Sequence, residues 1–243
     1  MTVSHTRNTR KRPALQATKR DWKRMTDVPA TKPYIDPSRT ALLVIDMQKG
    51  FCDPESRMEK AGIGTANQRA ALPWILELVE MCRGYGMPIL WSQQIHYPED
   101  VTRQRRSIPS HIDKQKWAPC LRGTWEVDFV DEVTAVLRPE DIIVEKHRAS
   151  VFFETTLDTK LRMLGIEQII ISGCNTDFCV ETTIRDGYYR DLDVIVVREC
   201  VAGPRKRFHE DTLAKVETYF GAVVTLGELP SVVMSPEAVE ASA

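Results

Sequence analysis

Short apolar runs that alternate with helix-patterned segments constrain this chain more than any other feature. "TALLVI" (40–45) is apolar after its first residue and bounded by polar ones, as a strand buried on both faces requires. Five further strand-like runs follow: "MPILWSQ", "DIIVEK", "EQIIISG", "DVIVVREC" and "AVVTL". Between them, "ALPWILELVEMCRGYG" carries apolar residues at helical spacing and then a glycine stop. "WEVDFVDEVTAVL" is predicted as a helix closed by Arg138-Pro139. "TTLDTKLRMLGI", "DFCVETTIRDGYYRD" and "RKRFHEDTLAKVETYFG" are predicted as three more. Such alternation makes βαβ units. It predicts an α/β fold: a doubly wound, six-stranded, mostly parallel sheet with helices on both faces, spanning residues 36–229. The polar, proline-containing segment 96–124 is too long for an ordinary connection and reads as a lid or binding loop.

The flanks differ. Residues 1–35 include "RNTRKRPALQATKRDWKRM" and read as a basic arm, either loosely docked or wrapped on a neighbouring subunit. Residues 230–243, with "SPEAVEASA", read as a frayed tail. Lys and Arg number 33 against 34 Asp and Glu, a net charge of -1, and no stacking platform accompanies the basic arm, so no nucleic-acid partner is expected. No apolar run approaches membrane-spanning length, and the start lacks an apolar signal region; a soluble cytoplasmic chain is expected. The six cysteines form no C-x-x-C pair and match no zinc or disulfide framework, which suits buried thiols in a reducing compartment.

In open α/β sheets ligands bind beyond the carboxyl ends of the strands. Three reactive side chains fall there. The first strand runs into Asp46, the third into Lys146, and the fourth leads through a tight turn to Cys179. Each has a structural reading: a turn cap, a surface lysine, an inert thiol. Their convergence on one rim favours chemistry. Thr176 or Asp177 is a good helix N-cap, which puts Cys179 in the first turn, with Val180, Ile184 and Tyr188 along one face. Free N–H groups and the helix dipole there favour an anion, so a thiolate with a depressed pKa is expected. The same N–H groups can hold an oxyanion, and Asp46 can take the thiol proton.

The stretches "LLVIDMQKGF", "VEKHRASVFFETTLDTKLRMLGI" and "SGCNTDFCVETTIRDG" resemble the isochorismatase-like superfamily, in its cysteine hydrolase branch. That branch includes N-carbamoylsarcosine, nicotinamide, biuret and ureidoacrylate amidohydrolases. The resemblance covers residues 36 to 226 and implies Asp46, Lys146 and Cys179 as a catalytic triad. It also implies a cis peptide between Cys174 and Asn175, and an oxyanion hole from the N–H groups of Asn175 and Cys179. No cofactor or metal is implied: "SQQIHYPED" lacks the Asp-x-His pair of nicotinamidases. The implied activity is hydrolysis of a C–N bond in a small linear amide or ureide through a thioester, by a homodimer or homotetramer. Gln48, Phe51, Arg106, Trp125, Phe152 and Phe178 are candidate substrate contacts. The alternatives are a vinyl-ether hydrolase, a non-catalytic ligand-binding relative, and a redox protein pairing Cys174 with Cys179.

Overall fold

The computed structural model describes residues 33–103, 107–115 and 117–234. Most of the expected basic arm, Arg106 and the end of the expected tail lie outside the described residues. Six strands form one sheet: β1 (Thr40–Ile45), β2 (Ile89–Gln94), β3 (Ile142–Lys146), β4 (Gln168–Cys174), β5 (Asp193–Ala202) and β6 (Ala222–Val224). Their order is β3-β2-β1-β4-β5-β6, and every pairing is parallel. All carboxyl ends therefore share one rim, and the winding reverses between β1 and β4.

Strand β1 explains its own sequence. All six residues are buried. Leu42 and Val44 pack on one face of the sheet, against Ala71, Leu72, Ile75, Leu78 and Val79 of a long helix. Ala41, Leu43 and Ile45 pack on the other, against Leu157, Leu161, Ile184 and Leu213. With a core on each side, the strand is apolar from Ala41 to Ile45, and its one polar residue, Thr40, hydrogen-bonds to the Asp36 carbonyl and Gln168 Oε1.

The helices are α1 (Lys49–Cys52), α2 (Arg57–Lys60), α3 (Ala66–Gly84), α4 (His111–Gln115), α5 (Asp131–Val136), α6 (Leu157–Met163), α7 (Glu181–Tyr188), α8 (Lys206–Lys215) and α9 (Leu229–Val232). None of the described helices is long and apolar enough to cross a membrane. Ile75 and Leu78 of α3 are fully buried, which stabilises the fold by about 2 kcal/mol each.

Three local expectations are corrected. The helix expected over 125–137 is a single 3₁₀ turn, Trp125–Val127, then extended chain, then α5. Tertiary pairing overrides the helical pattern: the Lys49 N–H donates to the Asp128 carbonyl at 2.8 Å and the Val130 N–H to the Met47 carbonyl at 3.2 Å. Second, Thr176–Val180 is a π-type turn with Asn175 in the capping position and no side-chain cap, and α7 begins only at Glu181. Third, Ile35 is fully buried and exchanges backbone hydrogen bonds with Val232 and Met234 at 2.8 Å, so residues just outside 36–229 pair with one another rather than belonging to an arm and a frayed tail.

The long segment after β2 is anchored at the rim. The His96 N–H donates to the Cys120 carbonyl at 2.9 Å and the Arg122 N–H returns to His96 at 2.7 Å. Asp100 pairs with Arg148, just past β3, at 3.0 Å.

Candidate active site

Asp46 follows β1 directly and has a left-handed backbone, φ 53°. Its side chain is held by β2: the Ser92 hydroxyl donates to Oδ1 at 2.6 Å and accepts the Asp46 N–H at 3.2 Å. Lys146 is the last residue of β3. Its Nζ lies 2.7 Å from Asp46 Oδ2, and neither side chain is exposed. Oδ2 accepts no well-aligned hydrogen bond, so the pair is held chiefly by charge. The same Nζ donates to Gln94 Oε1 at 2.8 Å and to the Arg148 carbonyl at 3.2 Å, and faces Cys179 Sγ at 3.4 Å. One buried ammonium thus bridges a carboxylate and a sulfur delivered by two other strands.

Cys179 sits in the π-type turn after β4, and the Cys174–Asn175 peptide bond at its entrance is cis. The Asn175 carbonyl accepts from the N–H groups of Phe178 and Val180 at 3.0 and 3.2 Å. Thr176 Oγ1 meets His209 Nδ1 at 2.9 Å, and the Cys174 thiol donates to the Asp46 carbonyl at 3.3 Å. Cys174 is therefore committed to the backbone beside Asp46.

Burial acts to lower the Lys146 pKa, but the Asp46 carboxylate and the Cys179 sulfur outweigh it and leave it raised. The ammonium stays charged at neutral pH. The expected depressed thiol pKa is not found. Burial pushes Cys179 up to about 12, against the opposing pull of Lys146 and with Asp46 adding to the rise. The sulfur is buried in a turn ahead of α7, so desolvation dominates over any dipole. Alkylation of Cys179 by iodoacetamide is accordingly expected to be slow at pH 7 and to climb roughly tenfold per pH unit up to pH 9.5. Mass spectrometry of the Cys179 peptide reads this; a rate already level below pH 8 would mean a preformed thiolate.

Above the sulfur lies a cavity of about 190 Å³. Phe51, Met58, Ile63, Trp117, Pro119 and Phe178 supply apolar wall, while Gln94, Asn175 and Cys179 bring polar atoms to it. His96, His111, Asp177 and Arg205 complete the lining, with Ala149 and Pro204. Arg205 is the one Lys or Arg among these residues. It makes no salt bridge to a described residue, and its guanidinium stands 5.6 Å from the centre of the Phe208 ring. Among the described residues no group of three or more His, Cys, Asp or Glu is arranged to hold a metal.

Of the candidate contacts, Phe51 and Phe178 line the cavity. Gln48 does not. It is fully buried, with Nε2 donating to the Gln94 and Val127 carbonyls and Oε1 accepting the Gln94 N–H, so it ties β2 to the 3₁₀ turn. Trp125 stands half-exposed on that turn, away from the cavity. Phe152 is buried in the core behind the sheet, under the Arg190 guanidinium. Sequence reasoning missed Ser92 and Gln94. The period of two along β2 was their signal, because it turns both toward the side where Asp46 and Lys146 meet. Arg205, His111 and Trp117 carry no comparable local signal.

The sequence profile of the Isochorismatase domain matches residues 40–228. The chain belongs to the isochorismatase family. Within that family it is similar to the ureidoacrylate amidohydrolase RutB of Methylobacterium radiotolerans, 30% identical over 222 residues, with 86% of this chain and 85% of that protein covered. Among solved structures, this isochorismatase-family chain is similar to a cysteine hydrolase from Pseudomonas syringae pv. phaseolicola, 26% identical with a TM-score of 0.65, covering 86% of this chain and 96% of that one. It is likewise similar to the N-carbamoylsarcosine amidase of Thermoplasma acidophilum, 26% identical with a TM-score of 0.63, covering 77% and 95%. The chain is thus an isochorismatase-family hydrolase on an α/β fold with a parallel six-stranded sheet.

Proposed function

We propose that this hydrolase cleaves a C–N bond of a small linear ureide or amide through a thioester on Cys179. The observation that carries the reading is the Lys146 ammonium, 2.7 Å from the Asp46 carboxylate and 3.4 Å from the Cys179 sulfur, beneath a small cavity. A thiol pushed up to about 12 does not ionise in advance. Its proton passes to Asp46 as the sulfur attacks the carbonyl carbon. The N–H groups of Asn175 and Cys179 hold the resulting oxyanion, since their neighbours Phe178 and Val180 already donate to the Asn175 carbonyl. Collapse breaks the C–N bond, and Asp46 returns the proton to the departing nitrogen. Water then attacks the thioester, giving its proton to Asp46, and the thiol reforms as the acid or carbamate leaves. Lys146 pairs with the carboxylate and offsets the charge that develops on the sulfur.

The substrate class proposed is an N-carbamoyl acid. A cavity of about 190 Å³ suits a molecule well below drug size. Arg205, free of a described carboxylate partner, offers a charge for the acid group. The names of the similar proteins, a ureidoacrylate amidohydrolase and an N-carbamoylsarcosine amidase, both denote ureido compounds bearing a carboxylate.

The test is ammonia release from ureidoacrylate, biuret, N-carbamoyl amino acids, maleamate and nicotinamide, with the unchanged chain beside Cys179→Ser. Release from an N-carbamoyl acid is expected, falling by roughly 10³-fold or more in the variant. Ammonia that persists in Cys179→Ser removes the thioester. Vinyl-ether cleavage that survives the same change would support the isochorismatase-type chemistry instead.

A further inference from the structure

Helix α3 opens with two amide side chains, one bonded to the loop after β5 and the other to the residue that caps the turn carrying Cys179. Asn67 Nδ2 donates to the Gly203 carbonyl at 3.0 Å. Gln68 is fully buried and its Nε2 donates to Asn175 Oδ1 at 2.9 Å. The other half of the Gln68 amide, Oε1, is buried and accepts nothing. An unsatisfied buried polar atom is unfavourable, and a methionine would fill the same space without it. Stability alone therefore gives no reason for glutamine here. Its Nε2 does one thing in the fold: it fixes the orientation of the Asn175 amide.

That orientation matters because Asn175 lines the same cavity as Cys179. With Oδ1 turned toward Gln68, the Asn175 NH₂ group is the half of the amide that makes no hydrogen bond to a described residue and is free to donate to a ligand. The reverse arrangement, with both amides turned over, would bury an orphaned Gln68 NH₂ instead of an orphaned oxygen. Buried donors without partners are the rarer defect, so the observed direction is favoured.

We propose that Gln68 and Asn175 form a specificity element: Gln68 positions Asn175 so that Nδ2 donates to an acceptor oxygen of the substrate beyond the scissile carbonyl. This rests on the ureide reading above and deepens it. A ureide ending in a carboxylate or a second carbonyl satisfies the donor; one ending in an alkyl chain leaves it facing apolar carbon. Gln68 is a positioning residue, and Asn175 makes the contact.

Binding is measured by calorimetry in the Cys179→Ser background, so that it is read without turnover. The probes are N-carbamoylglycine, which carries the acceptor, and n-propylurea, which lacks it. Gln68→Met is expected to weaken N-carbamoylglycine about tenfold while n-propylurea stays within about twofold. Gln68→Met is also expected to melt no lower than its parent, because it removes the orphaned oxygen. Gln68→Glu, whose carboxylate only accepts, turns the Asn175 amide over and is expected to weaken N-carbamoylglycine further. Equal losses for both probes, no loss for either, or no binding of N-carbamoylglycine to the parent would overturn the proposal. A fall in melting temperature together with uniform weakening would make Gln68 merely structural. Turnover of N-carbamoylglycine by the chain with Cys179 intact judges the hydrolase reading separately.

Discussion

Asp46→Asn is expected to lower turnover by roughly 10³-fold or more and to destabilise the chain by about 3–5 kcal/mol. Both effects come from one contact. Asp46 and Lys146 are fully buried 2.7 Å apart, and among the described residues Asp46 is the carboxylate that pairs with Lys146. An amide at position 46 cannot accept the thiol proton, and it leaves a buried ammonium uncompensated. The pH dependence of stability should change sign. In the unchanged chain the folded Lys146 pKa is raised, so its contribution is complete at neutral pH and is lost only as pH climbs past the ordinary lysine value of 10.5. Without the carboxylate, burial is the leading influence and drives the folded pKa below that value. The unfolded chain then binds more protons, and stability rises with pH. Melting curves from pH 7 to 9.5 read this directly: level for the unchanged chain, rising for Asp46→Asn. A flat profile in the variant would mean that water or another group compensates Lys146.

Gly173→Ala is expected to prevent folding, at a cost above about 4 kcal/mol. Gly173 lies in β4 opposite Ile45 of β1, with φ +105°. A Cβ there would stand 2.1 Å from the Ile45 carbonyl oxygen and 2.5 Å from its nitrogen, both backbone atoms that cannot move aside. Gly165→Ala is the control. Its φ of +68° is also left-handed, but a Cβ meets nothing within 4 Å, so a loss of about 1 kcal/mol is expected. Urea denaturation compares the two, and equal midpoints would contradict the close approach of β1 and β4. That approach has a consequence for the site: it draws together the carboxyl ends of the strands that carry Asp46 and lead to Cys179.

The layout of the sheet was legible in the sequence because burial on both faces leaves a local mark. "ALLVI" and "III" read as apolar strand interiors since each of these side chains, up or down, meets a core. Parallel strands have their carboxyl ends on one rim, so Asp46, Lys146 and Cys179 could be brought together from spacing alone. The helix expected across Trp125–Leu137 failed where its pattern was overruled by pairing with Met47–Lys49, about eighty residues earlier in the chain. Gln48 looked like a pocket residue from its place two positions past Asp46, yet its whole amide is spent on distant backbone.

The sense of the thiol pKa was likewise decided by tertiary structure. A helix start attracts a thiolate only if the sulfur is solvated or the helix begins there, and Cys179 meets neither condition, being 4% exposed in a π-type turn. Ser92 and Gln94 of β2, Gln68 of α3 and Arg205 ahead of α8 reach the site from three separate places in the chain, and no sequence spacing records the meeting of these three. What the sequence by itself determined is the alternation of elements and the three reactive groups at strand ends, because both follow from side-chain period and chain direction. What only the tertiary structure decided is which polar atoms face one another, because hydrogen bonds and ion pairs depend on distances between segments far apart in the chain.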